Sequence, residues 1–260
     1  MRMLPTWIAG LVVLAILHSL APAVHADDAT ELGQAGVAEL NRYRTAAGLT
    51  PVALNPLSAA PLHAHYLALN KGTDLIAGLR AHTEQVGSPG YTAAGAAVAP
   101  LSNIAIGQPG VADTVRTLID GPLHRHAMLA PGLTTIGVAM EDGNWVLDLS
   151  DTSAPPVSQV RVVAYPAPGQ QDVPLSFSGH ETPNPLTAIP NLDPHASVGY
   201  GTTLHFYGCN PTDVQASLAI DDSVVPVYSI APGTVVSVNV VAVFPALCDR
   251  NCTPSQQLPQ

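Results

Sequence analysis

Residues 111–149 leave the chain few choices. Val115, Leu118 and Ile119 recur at helical spacing over Val111–Asp120. Gly121-Pro122 then stops the helix, because proline has no amide donor and glycine loses the most entropy when fixed. After a turn at Pro131-Gly132, Ile136, Val138 and Met140 alternate as a strand. Asp142-Gly143 signals a hairpin, and Trp145, Leu147 and Leu149 continue on the return strand. The stretch reads as helix, corner and hairpin, with His124 at the corner, where a polar group is carried on a rigid frame.

The preceding residues supply more helix. Residues 29–47 carry Leu32, Val37, Leu40 and Tyr43 at roughly helical spacing, and Gly48 is a C-terminal stop. Residues 51–54 are short and extended. A second helix should carry Leu57, Leu62, Tyr66 and Leu69, either kinked at Pro61 or beginning near Ser58. Residues 87–109, rich in Gly, Pro, Ala and Ser, read as a long loop, and long structured loops are often functional.

Beyond Leu149 the pattern changes. Residues 151–159 have the composition of a linker. Residues 160–165, 203–207, 216–220, 224–229 and 235–244 read as strands between Pro- and Gly-rich turns, the signature of a small all-β, immunoglobulin-like sandwich over 160–248. Residues 249–260 form a loose tail. At the other end, Arg2, the apolar run from Trp7 to Leu17 and Val24-His25-Ala26 read as a secretory signal peptide spanning 1–26, cleaved before Asp27. The run is short for an uncleaved anchor. Secretion, or residence in the cell envelope, is the expected location.

The net charge of −10 repels phosphate backbones, which argues against nucleic-acid partners. Of the three cysteines, Cys209, Cys248 and Cys252, two can pair outside the cytosol, and sequence leaves the choice of pair open.

Several blocks, taken in order, resemble the CAP superfamily, also called SCP or PR-1-like proteins. They are Leu40-Asn41-Arg42-Tyr43-Arg44 with Gly48-Leu49; His63 through Asn70; His82-Thr83-Glu84; Ser102-Asn103-Ile104-Ala105; and His124-Arg125 followed by Leu129 and Ile136-Gly137-Val138. The His63, His82 and His124 blocks resemble the bacterial type, and together the blocks cover about residues 29–150, within an expected domain spanning 27–150. Tyr165-Pro166 and Gly179-His180-Glu181-Thr182-Pro183 are similar to an extension found in some bacterial members. The resemblance implies an α+β fold, an α-β-α sandwich, with the β-rich part following it. Many eukaryotic members hold a divalent metal with two His and two Glu. Here Leu40, Ser102 and Gly121 stand at three of those positions and only His124 remains, so that metal site is not inherited in its family form.

The candidate site residues are His63, His82, Glu84, Ser102 and His124. If residues 82–84 are a strand, His82 and Glu84 share a face. Imidazoles with one carboxylate can form a neutral hydrogen-bonded network, or hold zinc or a similar divalent cation. His63, His82, Glu84 and His124 are the candidates for either role, and they are expected to converge in one cleft. His65 and His126, two residues from His63 and His124, should point to the surface, as should the His180-Glu181 pair. Ser102, His124 and Glu84 have the types for acyl transfer, but no Gly-x-Ser-x-Gly elbow is present. The leading expectation is a protein that acts by binding. The resemblance implies a lipid, a sterol-like or other small apolar ligand, or an extracellular or cell-wall partner. A metal-dependent or Ser/His hydrolase of peptide or ester bonds, and a structural cell-envelope module, are the alternatives.

Overall fold

The structure is a computed structural model and describes residues 26–151, 160–212, 214–220 and 222–246. The expected signal peptide up to residue 25, the expected linker from residue 152, the expected tail, Cys248 and Cys252 therefore lie outside the described residues. No helix among the described residues is long and apolar enough to cross a membrane.

The first half contains helices α1 (Ala26–Ala46), α2 (Ala60–Leu69), α3 (Ala93–Val98), α4 (Val111–Asp120) and α5 (His124–Met128). Its strands are β1 (Ala53–Leu54), β2 (Ser102–Ile106), β3 (Thr135–Glu141) and β4 (Asn144–Asp148). The strand order is β1-β3-β4-β2, antiparallel except for β1 against β3. Alternation along the strands explains the layering. Ile136, Val138, Trp145 and Leu147 face α1 and α4, while Ala139 and Val146 face α2. Helices thus cover both faces of the sheet. Asp142 and Gly143 both have positive φ, 48° and 77°, as the tight β3–β4 turn requires.

Two differences from the sequence reading matter for the site. Residues 82–84 are not a strand: Gly78–His82 is a 3₁₀ helix, so strand alternation does not set the directions of His82 and Glu84. The 87–109 stretch is more ordered than its composition suggests. It contains α3, capped by the Thr92 hydroxyl, and then β2, which places Ser102 and Asn103 in the sheet. The mixture of small residues hides β2 because its packing partner is β4, which lies some forty positions away in sequence.

The Asn41/Arg44 pair has a structural role. Asn41 exchanges two hydrogen bonds with the Val52 backbone, at 2.9 and 2.8 Å. Arg44 is fully buried and donates to the carbonyls of Thr50, Met128, Ala130 and Leu133 at 2.8–3.3 Å. Burial pulls its guanidinium down to about 10, still charged at neutral pH. It ties the end of α1 to the α5–β3 loop. Gly137 is another close approach: the Ser58 side chain, whose hydroxyl donates to Asp148 at 2.6 Å, occupies the space a Cβ would need. Gly137→Ala is expected to lower unfolding stability by about 2 kcal/mol through overpacking, read from the urea midpoint at unchanged slope.

The second half is β-rich. Strands β5 (Arg161–Tyr165), β8 (Thr202–Tyr207), β11 (Val227–Ile230) and β12 (Val240–Pro245) form an antiparallel sheet ordered β11-β12-β8-β5. Short ladders pair β6 (Ser176–Phe177) with β7 (Val198–Gly199), and β9 (Leu218–Ile220) with β10 (Ser223–Val225). Register puts Val163, Tyr165, Thr203, His205, Ala242 and Phe244 on one face of the sheet. Part of that face packs on Phe177, Leu186 and Val198. The rest joins the core of the first half, where Val163, Tyr165 and Tyr200 cluster with α1, α4 and α5 residues.

Arg125 is the polar centre of this junction. Fully buried, it donates to Asp120 O (2.7 Å), Tyr200 Oη (3.0 Å), Gly201 O (3.1 Å) and Thr203 Oγ1 (3.2 Å), and its guanidinium lies 4.4 Å from the Tyr165 ring centre. His126 is not a surface residue. Its ring stacks on Tyr207 at 4.8 Å, and its Nδ1 is 3.3 Å from Nδ1 of the fully buried His205. The two-residue offset from His124 sends it to the other side of α5, and there the second sheet covers it.

Candidate functional site

His124 opens α5 directly after the Gly121-Pro122 break. Asn103 on β2 holds it from behind, donating to the His124 carbonyl at 2.9 Å. In front stands Glu181, from the β-rich half. One carboxylate oxygen, Oε1, accepts from Leu123 N (2.8 Å), His124 N (2.7 Å) and His124 Nδ1 (2.7 Å). The Glu181 side chain is almost fully buried and that of His124 is partly exposed. The second oxygen, Oε2, is buried with no hydrogen-bond partner among the described residues. A carboxylate only accepts, so a neutral His124 spends its single N–H on Glu181 and keeps Nε2 as an acceptor or a base.

Glu181 packs closely against Gly121. A Cβ at Gly121 would lie 2.8 Å from Glu181 Oε1 and 3.3 Å from His124 Nδ1. Glu181 thus fills space that a side chain at position 121 would need, and the glycine leaves room for it. As a polar pair in a turn, His180-Glu181 is expected at the surface. His180 is exposed, but Glu181 is buried, because its partners are backbone amides of a distant helix start. The one available signal was a missing acid at 121 alongside an unassigned acid in the Gly179–Pro183 motif.

A cleft of about 270 Å³ lies here, lined on one side by Ile76, Ala81 and His82, along β2 by Ile104 and Ile106, and by Thr117 and Leu118 of α4. His124, His180 and Glu181 close it. Among the described lining residues none is Lys or Arg. His82 sits on the wall with Nδ1 3.4 Å from Ala99 O, and burial lowers its proton affinity. A larger groove, about 620 Å³, runs between α1, α4 and Gln170–Pro174. Its arginines, Arg42 and Arg116, are already paired with Glu39 and Asp113.

His63, Glu84 and Ser102 are not on the cleft wall. His63 and Glu84 are fully buried behind it, Nδ1 to Oε1 at 2.9 Å, and His63 Nε2 meets Ala81 O at 3.0 Å. Two acceptors flank one ring, so either the ring carries both protons or the carboxyl holds one. Glu84 Oε2 also accepts from Thr92 N at 3.0 Å, which ties α2 to the start of α3. This pair is a strut between elements. Ser102 donates to Val98 O at 2.9 Å, and no contact brings it to His124. Among the described residues no group of three or more His, Cys, Asp or Glu is arranged to hold a metal ion.

Fold and site together define an α-β-α sandwich whose cleft is completed by a β-rich segment further along the chain. A family model described as "CAP: Cysteine-rich secretory protein family" matches residues 37–148, and the chain carries a CAP-superfamily domain. No curated protein and no solved structure matches the chain. Glu181 lies outside the matched residues, so an element beyond the family domain finishes the site.

Proposed function

We propose that this protein acts by binding, and that it takes a short amphipathic molecule into the cleft between β2, α4, α5 and residues 180–182. The make-up of the wall carries this reading: apolar side chains along β2 and α4, and a convergent polar end made by His82, His124 and Glu181. A few polar groups on an apolar wall are the usual composition of a small-molecule site. The volume sits just under the roughly 300–1,000 Å³ of such sites, which favours a short chain over a whole sterol. A secreted or cell-envelope location belongs to the same proposal and rests on the leader-like first 26 residues.

The test uses 1-octanol and isothermal titration on the full chain. One molecule is expected to bind per chain, and Thr117→Trp, which fills the cleft from α4, is expected to abolish the signal while leaving the unfolding midpoint near its original value. Equal octanol binding by Thr117→Trp would show that the alcohol goes elsewhere.

A further inference from the structure

We infer that the polar end of the cleft selects a protonated amine head group. The inference rests on the binding reading above and names the chemistry of its ligand. Glu181 Oε1 is saturated with three donors, whereas the buried Oε2 of the same carboxylate has none among the described residues. A buried acceptor without a donor is costly, the more so when charged, so a ligand whose donor reaches this oxygen from the cleft is favoured.

The neighbours point the same way. With its Nδ1–H committed to Glu181, a neutral His124 offers only a lone pair at Nε2. Burial keeps His82 from taking up a proton readily. The wall has no Lys or Arg among its described residues to receive an anion. The net charge of −10 adds a favourable field for cations. A primary ammonium carries three N–H donors and one positive charge, which suits an acceptor set with one carboxylate. A metal ion fits less well, because no group of three ligating side chains is arranged for one among the described residues. The apolar wall of Ile104, Ile106 and Leu118 takes the attached chain.

Three probes of one chain length separate this claim from the one it rests on: n-octylamine, 1-octanol and octanoate, titrated into the full chain at about pH 8, where free imidazoles are neutral and the amine is charged. Octylamine is expected to bind about tenfold or more tightly than octanol, as a charge-assisted hydrogen bond should, with octanoate the weakest. Glu181→Gln keeps an oxygen for the Leu123 and His124 amides but places an NH₂ where Oε2 stood. It should collapse the octylamine-to-octanol ratio to about one or below. The wild-type ranking stands by itself should that variant fold poorly. Octanoate binding as well as or better than octylamine would overturn the amine inference and leave the cleft reading intact. No binding by any of the three would overturn both.

Discussion

Arg125→Met is expected to lower unfolding stability by about 3–5 kcal/mol, the range for removing one member of a buried charged network. Methionine can fill much of the aliphatic volume, but it donates nothing. Asp120 O and Gly201 O then lose their side-chain donor, while Tyr200 and Thr203 keep other partners in Asp120 and His205. The stacking of the guanidinium on Tyr165 and Tyr200 is lost as well. Lysine should not rescue the loss, since it cannot reproduce a fork that reaches four acceptors on two sides. Urea unfolding of wild type, Arg125→Met and Arg125→Lys checks the figure; a loss under about 1 kcal/mol would mean that the two halves hold together without this residue. The same junction bears on proteolysis. Cleavage within residues 152–159 is expected to give two pieces that stay associated under native conditions, because Val163, Tyr165 and Tyr200 belong to the core of the first half. Separation of the pieces on a sizing column would refute that.

Acid should loosen the same junction. Burial holds the His126 ring down to about 4 and the His205 ring well below its ordinary value, the latter also opposed by Arg125 and His126. With Nδ1 facing Nδ1, the pair shares one proton comfortably and a second one poorly. Unfolded, each ring takes up a proton near pH 6.5. Between that point and the folded value the unfolded chain binds more protons than the folded one, so stability rises with pH there. It is complete above about pH 6.5 and is lost as pH falls towards about 4, by about 3 kcal/mol for His126 alone. Urea midpoints at about pH 7.5 and pH 4.5 should show the drop, and His126→Phe/His205→Leu should remove most of it. Phenylalanine keeps a ring against Tyr207, and leucine leaves the Thr203 hydroxyl to Arg125. An unchanged drop in the double variant would assign the acid sensitivity to other groups.

Much of the first half could be read along the chain. Val115, Leu118 and Ile119 mark α4, Gly121-Pro122 ends it, and Asp142-Gly143 turns the β3–β4 hairpin, because helical spacing, proline geometry and positive φ act over a few residues. The blocks that resemble the family also hold their places, and Asn41, Arg44 and Asn103 are each used to bind one element to another. Histidine types and positions were legible; their partners were not. His63 pairs with Glu84 and Ala81, whereas His82 reaches Ala99, because a 3₁₀ turn replaces the strand that would have aligned His82 with Glu84.

The sequence by itself determined the local elements, the acidic surface, the corner that carries His124 and the absence of a side chain at position 121. Only the tertiary structure decided what fills that space. Glu181 lies in an irregular stretch with no strong periodicity, and its immediate neighbours His180, Thr182 and Pro183 are not buried. Its burial comes from docking, when the Leu123 and His124 amides and the His124 ring present three donors to one oxygen. The same holds for His126, which reads as surface from its spacing, and for its buried neighbours Arg125 and His205, whose partners come from across the junction with the second sheet. Burial is set by which surfaces meet, and the meeting of segments eighty positions apart leaves no mark in local spacing.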